Sequence, residues 1–302
     1  MRNKIYLSLA VLLFLISGIN TKAQNTSTEN NLLFSKDNLL AWCIVPYDSK
    51  KRNAEERAAM LKELGITSFV YDWRALDLPN MEHEFATLKK YNIALKGVWF
   101  WVNGGKDQIL DDANEMILKT LAKTNTKTEL WVCFPNKYFE GMSDEEKIQK
   151  AVKTTQYIHE RATEIGCTVA LYNHEDWFGE PANEVKIIEA SGFKDVGIIY
   201  NFHHGHSQVQ DFDNILKVAK PYLTTVNLNG MKGDKFNILP LGEGDYELEM
   251  MEKLKTSGFA GDIGIIGHTD NEDVKVVLER NLTGLKKLLI EMGEKEALKS
   301  FH

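Results

Sequence analysis

The sequence has 302 residues, of which 43% are hydrophobic and 26% are charged; this composition excludes a disordered chain and is typical of a globular protein with a large core. The formal net charge is −7, and the lysines are scattered rather than clustered, which disfavours nucleic acid as a partner because phosphate binding requires a concentrated basic face. We therefore expect a neutral or polar small molecule as the partner.

The first 23 residues have the pattern of a secretory signal peptide. Two basic residues precede an apolar stretch at 7–16, and small residues form a cleavage site that ends at Ala23. The apolar stretch is shorter than the ~20 residues that span a bilayer, so a cleaved signal is favoured over a membrane anchor. The sequence predicts a signal peptide at 1–23, a short polar segment at 24–37, and a periplasmic or secreted protein that is not membrane-bound after cleavage.

From residue 38 to residue 302, short apolar runs alternate with longer amphipathic segments. Helix N-terminal signals occur at Asn53 with Glu56 and at Ser143 with Glu146. Runs that are apolar at nearly every position are typical of a parallel sheet covered by helices. Eight such units predict one domain, a single (β/α)8 TIM barrel, in preference to an open doubly wound sheet. The eight runs lie at 39–46, 68–73, 94–101, 129–134, 168–173, 196–202, 224–229 and 262–267.

The loops after the carboxyl ends of the strands form the active-site face of such a barrel. Five of the eight histidines fall in these loops: His174, His203, His204, His206 and His268. Their clustering indicates that at least one titrates or binds a metal. If the alternation of the strand persists, His203 and His204 point to opposite sides, and His204 is the preferred pocket residue. The cysteines, by contrast, lie in or beside apolar runs and are predicted to be small buried side chains.

Tryptophans and asparagines also gather at the predicted strand ends. Flat aromatic faces beside amide groups are suited to a sugar, whose C–H face packs on a ring and whose hydroxyls accept and donate hydrogen bonds. A plug of aromatic side chains at the barrel mouth is the alternative explanation. The predicted substrate-binding residues are Trp73, Arg74, Trp99, Trp101, Asn103, Asn173, Asn201, His206, Asn227 and Asn229.

Three segments resemble the xylose isomerase-like TIM barrels: ALYNHEDW (170–177), VGIIYNFHHGH (196–206) and ILPLGEGDYELEMMEKLKTSGFAGDIGII (238–266). That family includes sugar phosphate isomerases and epimerases, endonuclease IV and enzymes that act on 3-keto-glycosides. The resemblance implies metal ligands at the ends of strands five to eight. The matching positions hold Tyr172, Asn201 with His204, Asn227 or Asn229, and Ile266, so only the histidine agrees.

The missing carboxylates remove both ligands and negative charge, so the sequence predicts that no metal is required, although a divalent metal is possible. A bound metal would take its ligands from His174, His204 and His268.

The predicted function is an exported enzyme of carbohydrate catabolism that abstracts a proton next to a carbonyl group of a sugar or keto-sugar. Isomerisation, epimerisation and lyase or hydratase chemistry all satisfy this description. His174 and His204 are the predicted acid and base, with Asp72 and Glu243 in reserve. The alternative is a catalytically inactive barrel that binds a carbohydrate or a partner.

Overall fold

The computed structural model of the chain describes residues 32–104, 108–233 and 238–301. The predicted signal peptide and the first part of the polar segment, 24–31, lie outside the described residues. Within the rest of that segment, Leu33 and Phe34 are buried against the barrel, so packing begins ahead of residue 38. In the described ranges, no helix combines the length and the apolar character that a membrane crossing needs.

Eight parallel strands close into a barrel in chain order, and the last strand pairs with the first. The closure confirms the predicted single (β/α)8 barrel and excludes the open sheet. Seven of the eight strands are buried along most of their length, as expected for a sheet with side chains packed on both faces. The strands are β1 (Leu39–Trp42), β2 (Ser68–Tyr71), β3 (Ala94–Trp101), β4 (Glu129–Cys133), β5 (Thr168–Tyr172), β6 (Val196–Asn201), β7 (Leu223–Leu228) and β8 (Asp262–Ile266).

A helix follows each strand, and the predicted N-terminal signals form capping boxes. Asn53 accepts the backbone N–H of Glu56 at 3.0 Å, while the Glu56 carboxylate accepts the backbone N–H of Asn53 at 3.0 Å. Ser143 and Glu146 form the same reciprocal pair. The helices are α1 (Ala54–Leu64), α2 (Met81–Lys90), α3 (Asp112–Thr124), α4 (Asp144–Glu164), α5 (Pro181–Ser191), α6 (Phe212–Ala219), α7 (Glu247–Thr256), α8 (Val274–Glu291) and the short α9 (Lys295–Lys299).

Aromatic side chains fill the inside of the barrel. Trp131 is fully buried, and a side chain at Gly97 would place its Cβ 2.7 Å from Nε1 of Trp131, so only glycine leaves room for this indole. Trp42, Trp99 and Tyr172 pack on the same layer, with the Trp42 and Trp131 ring centroids 4.9 Å apart. This layer lies between the interior of the barrel and its carboxyl-terminal mouth.

The segment after β6 turns into a 3-10 helix at Phe202–Asp211. Asn201 begins this helix, and its side chain accepts the backbone N–H of His203 at 3.1 Å. The alternation of the strand therefore ends at Asn201, before the first histidine of the segment.

Candidate functional site

A cavity of about 640 Å³ opens at the carboxyl-terminal ends of the strands. Its volume lies within the ~300–1,000 Å³ typical of small-molecule sites. We call it the large cavity. It contains many of the residues singled out from the sequence: Asp72, Trp73, Arg74, Trp99, Trp101, Asn103, His174, Asn201, His204 and His268.

Two of the other predicted site residues lie outside the large cavity and have structural partners. Asn173 is fully buried; its side chain accepts the backbone N–H of Asn201 at 2.7 Å and donates to the Asn201 carbonyl at 3.2 Å. His206 is also buried, with Nδ1 lying 2.7 Å from the carbonyl oxygen of Lys232. These contacts hold the loops after β5, β6 and β7 together.

Three further predicted residues also lie away from the large cavity. Asn227 and Asn229 are fully buried, and a Cβ at Gly264 would lie 1.7 Å from Oδ1 of Asn227, so this amide packs across β8 inside the barrel. Glu243 is exposed in the loop before α7, where its backbone N–H donates to the carbonyl of Pro240 at 3.2 Å. Its position gives it no access to the large cavity.

The expectation that only one of His203 and His204 faces the pocket is wrong. Both line the large cavity, and their ring centroids are 4.8 Å apart. The physical reason is the 3-10 helix after β6, in which neighbouring side chains differ by about a third of a turn instead of pointing to opposite faces.

His174 and His204 form one wall of the large cavity together with Glu175. The two imidazole centroids are 4.5 Å apart, and the possible ligand atoms of all three residues lie within 4.8 Å of one another. Nδ1 of His174 is buried and has no hydrogen-bond partner among the residues that the structure describes. His268 lies in another part of the large cavity, where its ring packs on that of Tyr47 with a centroid distance of 3.5 Å and an interplanar angle of 32°. The cluster thus contains Glu175 instead of His268, which was the third metal ligand expected from the sequence.

Burial keeps these imidazoles neutral. It lowers the pKa of His174, and it lowers the pKa of His204 well below the usual value, with the neighbouring His174 adding to the effect. Burial also lowers the pKa of His268 to about 4. Neutral imidazole is the form that binds a metal ion, so the electrostatics of this wall suit coordination.

Glu175 has an uncommon backbone conformation, and a neighbouring loop holds its carboxylate in place. Glu175 and Asp176 have positive φ angles of 41° and 52°, in the left-handed region that non-glycine residues rarely adopt. The loop after β4 holds both residues. Asn136 Nδ2 donates to Glu175 at 2.8 Å, and the backbone N–H of Lys137 donates to Asp176 at 3.4 Å.

Asp72, at the end of β2, forms the opposite wall. Its Oδ1 accepts the backbone N–H groups of Ile44 and Val45 at 3.2 and 3.3 Å. Its Oδ2 is buried and has no partner within the described part of the chain. Burial raises the pKa of Asp72 to about 7, and the positive charge of Arg74 partly offsets this rise. Near neutral pH this carboxyl group can therefore hold or release a proton.

Tyr172 and Ile266 occupy positions where the resemblance implies metal-binding carboxylates. The Tyr172 hydroxyl accepts from Nε1 of Trp42 at 3.2 Å and forms a short hydrogen bond with the side-chain amide of Asn201. Ile266 lines the large cavity with an apolar surface. The carboxylate of this site comes instead from Glu175, three residues beyond Tyr172.

The sequence reasoning missed the residues that follow β1. Cys43 and Tyr47 both line the large cavity, and Tyr47 accepts a hydrogen bond from Nη2 of Arg74 at 2.9 Å. Cys43 has a positive φ of 56° and is partly exposed, contrary to its predicted burial. Although the residue is partly exposed, the loss of water around its thiol and the charge of the nearby Asp72 raise the pKa of that thiol, which therefore stays protonated. Applying the strand-end rule to β1 as well would have found this part of the cavity.

No family model matches the chain, and no curated protein matches it. Among solved structures, apo 3-keto-D-glucoside 4-epimerase YcjR from E. coli is 17% identical with a TM-score of 0.64, covering 82% of this chain and 98% of its own. D-psicose 3-epimerase in the presence of D-fructose is 14% identical with a TM-score of 0.60, and the match covers 84% of this chain and 99% of that one. The IOLI protein with a binding zinc atom is 12% identical with a TM-score of 0.61, and the match covers 87% of this chain and 99% of that one.

Further structural matches include a xylose isomerase domain protein from Planctomyces limnophilus. The chain has the fold of the xylose isomerase-like TIM barrels. This likeness confirms, at the level of the fold, the resemblance drawn from the three sequence segments.

The donors in the large cavity fit a divalent metal ion. Two imidazoles and one carboxylate, here His174, His204 and Glu175, form a donor set found in catalytic zinc sites and in non-haem iron sites. In addition, the buried Nδ1 of His174 has no hydrogen-bond partner among the described residues, so this nitrogen is available as a metal ligand. A divalent metal is therefore possible at this wall.

Proposed function

We propose that the protein is an exported enzyme that isomerises or epimerises a sugar or keto-sugar by moving a proton at a carbon next to a carbonyl group. The observation that carries the proposal is the division of the large cavity into two chemically different walls. His204 follows β6 and Asp72 follows β2, and these strands are four apart in the closed barrel, so the two groups face each other across the mouth. The structural likeness to sugar epimerases supports the substrate class.

The wall of His174, Glu175 and His204 would hold a divalent metal beside the oxygen of the substrate carbonyl. Proton abstraction next to a carbonyl moves negative charge onto that oxygen, so groups that bind the oxygen stabilise the transition state. A divalent metal held by these three residues would supply a Lewis acid at this point. We favour this metal-assisted form over the metal-independent reaction expected from the sequence, because the three donors converge within 4.8 Å.

Asp72 takes the proton from the substrate carbon, and in an isomerisation it returns that proton to the former carbonyl carbon. A general base works best when its pKa lies near the working pH, and Asp72 meets this condition with a pKa of about 7. His204 is the weaker base because its pKa is well below the usual value. Since Oδ1 of Asp72 is bound to two backbone N–H groups, Oδ2 is the atom that takes up the proton. The reserve candidate of the sequence thus becomes the first choice.

Tryptophans and amides give the large cavity the character of a sugar site. Trp99 and Trp101 line it with their rings 5.7 Å apart, and Trp101 also meets His174 edge to face at 5.3 Å. Asn103 and Asn201 supply amide groups in the same cavity. Aromatic faces beside hydrogen-bonding groups match a pyranose or furanose, which has apolar and polar surfaces on one small ring.

Proton exchange tests the proposal directly. Mature protein is incubated in D₂O with D-fructose, D-psicose and D-glucose derivatives oxidised at carbon 3, with added Zn²⁺, Mn²⁺ or Mg²⁺, and carbon-bound deuterium is followed by NMR. We expect exchange next to the carbonyl and formation of an epimer or isomer. Binding of these sugars without exchange or product would contradict the proposal and favour an inactive, carbohydrate-binding barrel.

Export requires its own test. The proposal rests on the pattern of residues 1–23, so the full chain produced in a bacterial host should reach the periplasm or medium with Gln24 as its first residue. Mass spectrometry of the purified protein reads this terminus. A cytoplasmic product that retains residues 1–23 would contradict the export proposal without affecting the proposed chemistry.

A further inference from the structure

A second cavity adjoins the large one, between the loops after β4 and β5. Its volume is about 260 Å³, less than half the 640 Å³ of its neighbour. We call it the small cavity. His174 and Glu175 line both cavities, so the small cavity begins at the wall that lies beside the carbonyl oxygen in the proposed function.

Aromatic side chains form the apolar part of the small cavity. Trp177 and Tyr138 are partly exposed there, and Trp177 packs edge to face on Phe139 with centroids 5.3 Å apart. Phe134 and Phe178 are buried beneath them and pack edge to face, with their ring centroids 4.6 Å apart. The exposed rings thus rest on a packed aromatic base that holds them in place.

Charged and amide groups form the polar part of the small cavity. Lys137 and Lys147 supply positive charge, while Glu140, Glu175 and Asp176 supply negative charge. Because both signs are present, neither an anionic nor a cationic ligand finds a uniform complementary field. A neutral ligand with both an apolar face and hydroxyl groups is the best match.

The junction between the two cavities is held in one conformation. The loop after β4 donates to Glu175 through Asn136 and to Asp176 through the Lys137 backbone, and both acceptor residues have positive φ. Left-handed backbone at non-glycine residues is retained where surrounding contacts enforce it, and it is common in ligand-binding sites. The cross-loop contacts therefore fix the small cavity relative to the reacting centre.

We propose that the small cavity binds the second ring of a two-ring sugar whose reacting ring lies in the large cavity. The substrate class is thus a disaccharide or a larger glycoside with a carbonyl group on one ring. This inference rests on the proposed function, because it assigns the reacting ring to the large cavity. Trp177 is the platform for the second ring, and the charged groups at the edge bind its hydroxyls.

An aryl group is the other ring that could pack on Trp177, and the polar lining argues against it. A hydrocarbon ring would displace the water around the charged groups of Lys137 and Asp176 and would offer no polar group in its place. A sugar ring replaces that water with hydroxyl groups. The small volume limits the occupant to about one ring.

Binding of unreactive probes tests the inference without turnover. The affinities of methyl β-D-glucoside, methyl β-D-cellobioside, methyl α-D-maltoside and phenyl β-D-glucoside are measured by calorimetry with the full mature protein. We expect at least one two-ring methyl glycoside to bind about tenfold tighter than the one-ring methyl glucoside. Equal affinities for one and two rings would overturn the inference. If only phenyl β-D-glucoside binds more tightly than methyl β-D-glucoside, the inference is overturned and the occupant of the small cavity is an aryl group.

Trp177→Ala locates the second ring. We expect this variant to lower the two-ring affinity about tenfold, to the level of the one-ring probe, and Trp177→Phe to restore most of the loss. Phe193→Ala is the matched control, since Phe193 is a partly buried aromatic residue in the loop between α5 and β6, away from both cavities. Equal loss for one-ring and two-ring probes in Trp177→Ala would contradict the assignment of the small cavity.

The two proposals can fail separately. If no probe with a carbonyl exchanges deuterium but two-ring glycosides bind more tightly, the proposed reaction is wrong and the second-ring site stands. If exchange occurs but the second ring adds no affinity, the reaction stands and the small cavity has no such role. Since the wild-type comparison uses no variant, a Trp177→Ala protein that fails to fold leaves the test intact.

Discussion

The two ends of the barrel each hold a carboxyl group with a pKa of about 7, but their surroundings differ. At the carboxyl-terminal end, Oδ2 of Asp72 is without a partner among the described residues, beside the large cavity. At the amino-terminal end, Oε2 of Glu129 accepts from Trp131 Nε1 at 2.9 Å and from Thr224 Oγ1 at 3.1 Å. Burial is the main cause of the raised pKa in both cases.

A third carboxyl group extends the comparison. Glu184 on α5 is fully buried, and its pKa is raised well above the usual value, yet it lines neither the large nor the small cavity. A raised pKa therefore records burial and does not by itself mark a reacting group. What distinguishes Asp72 is an oxygen atom available to a ligand, opposite a wall of possible metal ligands.

The largest expected effect is a loss of turnover when Asp72 is replaced, which replacement of Glu129 should not cause. Asp72→Asn preserves the acceptor for the backbone N–H groups of Ile44 and Val45 but cannot transfer a proton, so turnover should fall by about 10²–10⁴. Glu129→Gln should change turnover by less than about twofold, because Glu129 lies at the other end of the barrel. Turnover is measured with the sugar identified by deuterium exchange. Similar losses in both variants would show that burial and pKa, not position, decide the outcome.

The pH profile gives the same variants a second readout. Because the base form of Asp72 accepts the proton, kcat/KM of the wild type should rise about tenfold per pH unit below the pKa and level off above about 7. Asp72→Asn should lose this limb, while Glu129→Gln should retain it. A limb that survives in Asp72→Asn would assign the titration to another residue.

The second prediction compares Glu175 with His268, which both line the large cavity, through metal binding. Zn²⁺ titrated into metal-free protein should bind at about one equivalent, and Glu175→Gln should weaken that binding at least about tenfold. His268→Ala is the control and should leave metal affinity unchanged, since His268 packs on Tyr47 outside the cluster. Chelation should abolish deuterium exchange, and the same ion should restore it. Activity that resists a chelator would support the metal-independent reaction expected from the sequence.

The fold could be predicted because local signals and the global pattern agree. Eight apolar runs and the capping pairs at Asn53 and Ser143 each match an observed element. The residues at which the strands end were harder to predict than the strands themselves. The first run continues to residue 46, but β1 ends at Trp42 because Cys43 adopts a positive φ, which propensity alone does not reveal.

The site could be predicted as a face of the barrel but not as a set of contacts. The strand-end rule placed Asp72, His174 and His204 at the large cavity because it depends only on chain order. It could not show that Asn227 packs across Gly264, since this depends on a missing side chain in another strand. It also could not show that burial depresses the pKa of His204, because burial is a property of the folded chain.

The third prediction compares two histidines of one segment. His204→Ala should lower turnover at least about tenfold more than His206→Ala, because His204 lines the large cavity and His206 bonds the Lys232 backbone instead. His206→Ala should mainly lower the thermal midpoint, since it removes a buried side chain and its hydrogen bond. Turnover per folded molecule and the midpoint are measured together. Equal losses of turnover would contradict the placement of the two side chains.

The smallest effect concerns stability at the amino-terminal end. The pKa of Glu129 is about 7 in the folded state, against a usual value of 4.5. The folded state thus binds this proton more tightly, so the resulting stability is present in full below pH 4.5 and is lost as the pH rises through 7. We expect a loss of ~1–2 kcal/mol, less than the full shift implies because solvent screens a partly exposed group.

Glu129→Gln retains an acceptor for Trp131 and Thr224 and removes the charge that forms at high pH. Its free energy of unfolding should exceed that of the wild type by ~1–2 kcal/mol at pH 8, which raises the thermal midpoint by about 2–4 °C, with no gain at pH 4. Glu252→Gln, on the exposed face of α7, is the matched control for removing one negative charge and should give no such pH-dependent gain. Denaturant unfolding at both pH values measures the difference. An equal gain in the control would assign the effect to net charge, and a gain at pH 4 would reverse the sign of the proposed linkage.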